Sequence, residues 1–404
     1  MTAKHTKFLC SAILLILFFN IVLFKAQTNA ASHSTAPVHY ISMEFNLEAN
    51  TLKATSSIDL PAGVNLHLEL SHLNVSQISI NGQPAELGQD NKDLDIPSSP
   101  RDQKILLTYS KTVKPGSSGY NLISEAGITL IDSWYPVADQ EMFFKLTAHL
   151  PADFKAVSEA NEIIASDINS NKQVTFRFPH PLFSINFIAG PYVVTKENFG
   201  EKKELVAYFF PEDQQLANEY LAKAKQYLKR YEEMLGPYPY ERFSIVENRL
   251  PTGFAMPTFT LLGQSVVRLP FIVDTSLGHE ILHAWFGNGV RISPQEGNWV
   301  EGLTTYLADQ AFAVDAGRGS TYRKEQLVKY QSYVRPEMDL ILRDFSNVGH
   351  GSIKGQPIRA VGYNKSSMFF HMLRNKVGPD VFTEGLRNFF KRSKFKAAGW
   401  SDLQ

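Results

Sequence analysis

The 404-residue chain is 44% hydrophobic and 20% charged, a globular balance that excludes a disordered polymer and leaves room for two or three domains with sizeable cores. Lys plus Arg and Asp plus Glu are each 40, and phosphate binding needs a clustered positive field, so the neutral balance argues against a nucleic-acid partner.

The first thirty residues, "MTAKHTKFLCSAILLILFFNIVLFKAQTNA", place Lys4 and Lys7 ahead of a largely apolar run from Phe8 to Phe24. This reads as an export signal with a small-residue cleavage site at Thr28 and Ala30, or as an uncleaved anchor, since the run is nearly long enough to cross a bilayer. The expected location is outside the cytoplasm, periplasmic or extracellular, with membrane association through residues 8–24 if the segment is retained. Removing residues 1–30 deletes three Lys and no acid, so 37 cations face 40 anions, a net charge of −3. Cys10, the single cysteine, lies in this segment, so a processed chain has no disulfide or catalytic thiol and any metal site must use His, Asp or Glu.

Residues 31–200 form the first domain. From about residue 37 its short alternating runs, among them "VHYISMEFNLEA", "TLKATSSIDL", "NLHLELS" and "QKILLTYS", have the period of two expected of an antiparallel β-sandwich. Asn81-Gly82 predicts a tight hairpin turn. His149 and His180 are isolated, and the sequons at Asn74 and Asn364 are read as chance. Residues 201–404 form a second, mixed α and β domain. The pattern of "QQLANEYLAKAKQYLKRYEEML" predicts a helix from about 213 to 235, stopped by Gly236 and Pro237, and helices dominate from 274 onward.

Within "DTSLGHEILHAWFGNGV" a helix over 275–286 would set His279 and His283 at i and i+4, on one face and one turn apart. Two neutral imidazoles suit Zn²⁺, and Glu280, rotated about 100° from His279, is placed to take the proton of a water rather than to ligate. In "NWVEGLTTYLAD", Glu301 lies 18 positions beyond His283 on a run with helical spacing. It supplies a third ligand and leaves a position for water, giving one zinc per chain.

These segments resemble the zinc aminopeptidases of the aminopeptidase N type, members of the gluzincin group. "GHEILHAWFGN" is similar to that family's H-E-x-x-H-x-W-F-G-N helix, and "WVEGLTTYLAD" to its W-L-N-E-G-F-A segment. "VGYNKSSMFFHML" resembles its Y-x-K-G segment, which carries a catalytic tyrosine, here Tyr363. The resemblance covers residues 37–404. It implies an N-terminal β-sandwich followed by a thermolysin-like α+β catalytic domain, with His279, His283 and Glu301 on zinc, Glu280 as general base and Tyr363 as oxyanion donor, acting on peptide substrates.

Three departures from the family pattern stand out. The family's G-x-M-E-N stretch holds the substrate's free α-amine with its glutamate, but here "TGFAMPTFTLLG" has Pro257 directly after Met256. With no carboxylate between Pro251 and Pro270, a zinc peptidase without the usual demand for a free N-terminus is expected. Glu247 is the nearest replacement in sequence, and His350 in "NVGHGSIKGQ" is read as a surface-loop residue rather than part of the cleft. The loop between His283 and Glu301 is one residue short of the family's spacing. The C-terminal "KAAGWSDLQ" stops ahead of the family's remaining helical domain, which reads as a truncation. The alternatives are an aminopeptidase with a substitute anchor, a gluzincin of the glycyl aminopeptidase kind, and a non-catalytic scaffold.

Overall fold

The computed structural model describes residues 36–403 apart from 88–91, 115, 117–118, 169–170, 202, 252 and 347–354. The proposed export segment of residues 1–30, Cys10 and His350 lie outside the described residues. Ala36–Gln404 makes one compact unit.

Alternating burial along the first strands follows their alternating sequence. Thr51–Leu60 buries Leu52, Ala54, Ser56, Ile58 and Leu60 and turns the intervening residues outward. An eight-stranded sheet runs in the order Glu162–Ile168, Asn171–Arg177, Phe143–Pro151, Val38–Asn46, Thr51–Leu60, Gln103–Thr112, Asn74–Ile80, Gln83–Pro84. Its pairings are antiparallel except that Val38–Asn46 runs parallel to Phe143–Pro151, a long-range pairing that alternation alone does not reveal. Three- and four-stranded sheets accompany it. At the predicted hairpin Asn81 and Gly82 have φ of 52° and 78°, the positive values a two-residue turn demands.

A five-stranded sheet follows, in the order Val193–Phe199, Lys203–Phe209, Arg242–Asn248, Phe259–Gly263, Gly253–Met256. It runs across residue 200 and leaves Gly253–Met256 at an edge. Arg242–Asn248 is buried along its whole length, as expected for a strand paired in parallel on both sides.

A short 3₁₀ turn, Pro211–Leu216, leads into the helix Ala217–Leu235, which stops where Gly236 takes φ 106°. That helix buries Tyr220, Leu221, Ala224, Leu228, Tyr231 and Leu235, the stripe its sequence shows. Its tyrosines carry the next layer. Tyr220, Tyr227 and Tyr231 donate their hydroxyls to the carbonyls of Val267, Val273 and Gly278 at 3.0, 2.9 and 2.9 Å. These bonds fix the start of the His279 helix against the core. Helices make up most of the remainder, and among the described residues none is long and apolar enough to cross a membrane.

Candidate metal centre and peptide cleft

The helix carrying the two histidines is Ser276–Leu282, shorter than the 275–286 expected, with His283 closing it in helical conformation at φ −58° and ψ −19°. The i, i+4 relation survives because His283 still completes the turn. Beyond it the chain tightens, with Ala284 N–H bonding Ile281 O at 3.0 Å and Trp285 N–H bonding Leu282 O at 3.0 Å. Leu277, Ile281, Leu282 and Trp285 are buried, and Trp285 Nε1 donates to Gly236 O at 3.0 Å. Gly287 then turns with φ 112°, and a Cβ there would lie 3.2 Å from His283 Nδ1, so the bend that follows the second histidine needs glycine.

His279 and His283 face each other with ring centres 5.0 Å apart. Their Nε2 atoms lie 3.6 and 3.7 Å from Glu301 Oε2, and the three ligand atoms are mutually within 4.8 Å. Ligands about 2.0–2.2 Å from a tetrahedral zinc stand roughly 3.3–3.5 Å apart, so the donor set fits that ion with little movement. Each imidazole is also held from behind. His283 Nδ1 meets Phe286 O at 3.1 Å, and His279 Nδ1 meets Asp309 Oδ2 at 3.1 Å, which leaves both Nε2 atoms facing Glu301.

Burial opposes the charge on Glu301, but His283, His279 and the Tyr363 phenol more than offset it and hold the carboxyl at about 2. Burial likewise opposes a charged His279, while Asp309 and Glu301 push it well above the usual imidazole range. With protein groups alone the cluster therefore favours negative oxygens facing a positive charge, the polarity a dication meets.

Glu301 sits in the first turn of Val300–Thr304, and Gly302 beside it permits close contact with Ser366, since a Cβ there would be 1.9 Å from Ser366 Oγ. Asp309, which lines the cleft and meets His279, is the residue of this cluster that sequence reasoning missed. In an α-helix, eight residues past Glu301 falls about 80° off its face. The stretch Thr305–Gln310 is instead a π-helix, whose wider turn absorbs one residue and returns Asp309 to the Glu301 side. Its spacing to Glu301 carries a signal only if that insertion is anticipated.

Tyr363 lies on a second π-helix, Ala360–Lys365, and bonds Glu301. Burial first, and then the charge of Glu301, raise its phenol far above its ordinary range, so it remains a neutral O–H donor. Phe345 stands edge-on to it at 6.2 Å, and the Arg359 guanidinium lies 5.0 Å from its ring centre. His279, Glu280, His283, Glu301, Asp309 and Tyr363 all line one cleft of about 1340 Å³ together with Gly253, Phe254 and Ala255 of the edge strand. Asn288 Nδ2 donates to Ala255 O at 3.3 Å and ties that strand to the turn after the histidine helix.

Other sequence candidates fall elsewhere. Glu247 does not line the cleft. It is fully buried, with Oε2 accepting the Phe210 N–H at 2.7 Å, and burial, with Asp213 beside it, pushes its carboxyl up to about 8. His149 is exposed on its strand, and His180 is stacked on Phe395 with ring centres 3.5 Å apart.

Two imidazoles and a carboxylate converge on one point, with an acid and a phenol lining the same cleft, a donor set that suits a single zinc ion. Residues 270–404 match the Peptidase family M1 domain. Among curated proteins, Aminopeptidase 2 of Candida albicans is 28% identical over 290 residues, covering 64% of this chain and 30% of that protein. Membrane alanyl aminopeptidase of Heliothis virescens is 30% identical over 137 residues, 33% of this chain and 13% of that one. The chain thus spans less than a third of the length of these relatives. In fold it is similar to an M1 zinc metallopeptidase from Deinococcus radiodurans, with a TM-score of 0.71, 18% identity, and coverage of 91% of this chain and 88% of that one. The match over residues 270–404, the aminopeptidase relatives and the similarity in fold together support a relation to the aminopeptidase N type of gluzincin, a family whose cofactor is Zn²⁺.

Proposed function

We propose that the protein is an exported zinc metallopeptidase whose thermolysin-like catalytic half cleaves peptides without requiring a free N-terminal amine. The observation that carries the peptidase reading is the convergence of His279 and His283 Nε2 on Glu301 at 3.6 and 3.7 Å, with Glu280 and Tyr363 lining the same cleft. Zinc on His279, His283 and Glu301 would supply Lewis acidity toward the scissile carbonyl and its attacking water. Glu280 takes the proton of that water as its oxygen attacks the carbonyl carbon, and delivers it to the nitrogen as the C–N bond breaks. Tyr363 donates its O–H to the carbonyl oxygen as charge develops there. Asp309 holds His279 in the tautomer that presents Nε2.

The missing demand for an amine rests on the edge strand. Gly253, Phe254 and Ala255 reach the cleft without a carboxylate, Pro257 takes the turn, and Glu247 is committed to Phe210 and Asp213. Gly253–Met256 is the last strand of its sheet, the position at which an extended peptide can add by backbone pairing. The basic-then-apolar segment from Lys4 to Phe24 supports export, cleaved or anchored, to a periplasmic or extracellular location.

The test is a panel of peptides, each free and N-acetylated, assayed with and without a chelator. Hydrolysis should be chelator-sensitive, and the two forms should agree within about tenfold in kcat/KM, about 1.4 kcal/mol. The relatives' aminopeptidase names favour a second reading, an aminopeptidase with a replacement anchor. A preference above about a thousandfold for the free amine, more than 4 kcal/mol, establishes that reading instead.

A further inference from the structure

We infer that Asn186 and Glu159, in the sheet-rich N-terminal region, are positioning residues for peptide binding: through Met256 they hold the edge strand Gly253–Met256 where its backbone meets an extended substrate. This rests on the peptidase reading above and names the side chains that set the strand facing the substrate. Both residues are buried, and Glu159 has no ion-pair partner among the described residues. Its carboxylate is engaged by one neighbour instead. Asn186 donates from Nδ2 to Oε1 at 2.5 Å and from its backbone N–H to Oε2 at 2.9 Å, while its carbonyl accepts the Ser158 hydroxyl at 2.6 Å. Asn186 is thereby fixed at both ends, and the same Nδ2 reaches Met256 Sδ at 3.3 Å. Beyond Pro257, Thr258 Oγ1 accepts the Ala160 N–H at 3.3 Å and Thr258 O accepts the Ser244 N–H at 2.9 Å. The chain leaving the strand is thus tied both to the N-terminal region and to the strand Arg242–Asn248.

The edge strand needs such support. Among the described residues it pairs with one neighbour only, Phe259–Gly263, over four residues, and a ladder that short specifies position weakly. Side chains supply the rest. Phe254 and Met256 pack against the apolar cluster of Val157, Ile188, Phe259 and Leu261, and Tyr120 stands edge-on to Phe254 at 5.3 Å. Asn288, whose N–H bonds His283 O at 3.0 Å, donates its side chain to Ala255 O at 3.3 Å. The strand is therefore held from the metal side at Ala255 and from the N-terminal region at Met256. A buried carboxyl without a cation is a poor source of stability beside an apolar side chain of its size, and what its hydrogen bonds supply is a fixed geometry. Strand addition by a peptide depends on that geometry, because the substrate pairs with backbone groups, whereas the ligand set His279, His283 and Glu301 does not.

Glu159→Gln keeps the volume but sets an amide NH₂ against one of the two Asn186 donors, and Asn186→Ala removes the link to Met256. Both are compared, zinc-loaded, with wild type on an N-acetylated hexapeptide that runs along the strand and an N-acetylated dipeptide that does not. For the hexapeptide KM should rise about five- to tenfold with kcat within about twofold, the size of one or two weakened backbone hydrogen bonds, while both constants for the dipeptide stay within about twofold. Leu150→Ala, a core truncation on Phe143–Pro151, gives the effect of lost stability alone. Amide exchange over Gly253–Met256, read by mass spectrometry at equal zinc content, should quicken in Glu159→Gln and Asn186→Ala and not in Leu150→Ala. An unchanged hexapeptide KM or unchanged exchange overturns the assignment. Equal losses on both substrates, or the same pattern in Leu150→Ala, overturn it in favour of a merely structural role. If Asn186→Ala does not fold, the isosteric Glu159→Gln decides by the same measurements. If no peptide is hydrolysed the peptidase reading fails, while amide exchange still decides whether Glu159 and Asn186 hold the strand.

Discussion

Replacing Tyr363 by phenylalanine separates a chemical role from a packing role, because the structure shows what the ring and the hydroxyl each touch. The ring meets Phe345 at 6.2 Å and Arg359 at 5.0 Å, and phenylalanine preserves both contacts. The hydroxyl's protein partner is Glu301, and losing one such bond costs about 0.5–1.5 kcal/mol of stability, or up to about 3 kcal/mol with a charged partner. Glu301 keeps His279 and His283 at 3.6 and 3.7 Å, so the ligand set stays assembled. If Tyr363 is the oxyanion donor, kcat should fall by roughly 10²–10³, or about 2.7–4 kcal/mol, with KM little changed and one zinc per chain retained. Metal analysis, thermal melting and steady-state kinetics on one N-acetylated peptide test this together. An unchanged kcat reassigns Tyr363 to packing, and loss of zinc shows that the phenol acts by holding Glu301.

Alanine at His279 or His283 should abolish zinc binding, whereas Glu280→Gln should keep the metal and lose hydrolysis; full activity in metal-free wild type would refute the site. Asp309→Ala should weaken zinc about 10- to 100-fold in a chelator competition, with Asp309→Asn losing less because its amide oxygen can still accept from Nδ1. A zinc affinity within about twofold of wild type in Asp309→Ala would remove it from the site. Glu247, raised by burial to about 8, is protonated in the fold at pH values where the unfolded chain ionises. Its contribution is therefore full below the unfolded pKa of about 4.5 and is lost as pH rises toward 8. Glu247→Gln should remove that loss, up to a few kcal/mol, when denaturant midpoints at pH 5 and pH 8 are compared, and an identical pH slope in the variant would show the carboxyl to be ionised.

Local patterns determined much of this protein. Alternation marked the strands, the Asn81-Gly82 turn fell where its positive φ values require it, and the helix Ala217–Leu235 ended at Gly236 because φ 106° suits glycine. The i, i+4 histidines were legible for the same reason, since one helical turn of backbone determines which side chains share a face. Tertiary structure decided what depends on long-range pairing or on departures from ideal geometry. The parallel match of Val38–Asn46 with Phe143–Pro151 joins segments a hundred residues apart. Asp309 reaches His279 only because a π turn absorbs a residue that an α-helical reading counts differently. Glu247, near the edge strand in sequence, is carried away from the cleft because its strand is buried along its whole length and its side chain meets Phe210 and Asp213. Sequence spacing measures distance along the chain, and only packing converts it into distance between side chains.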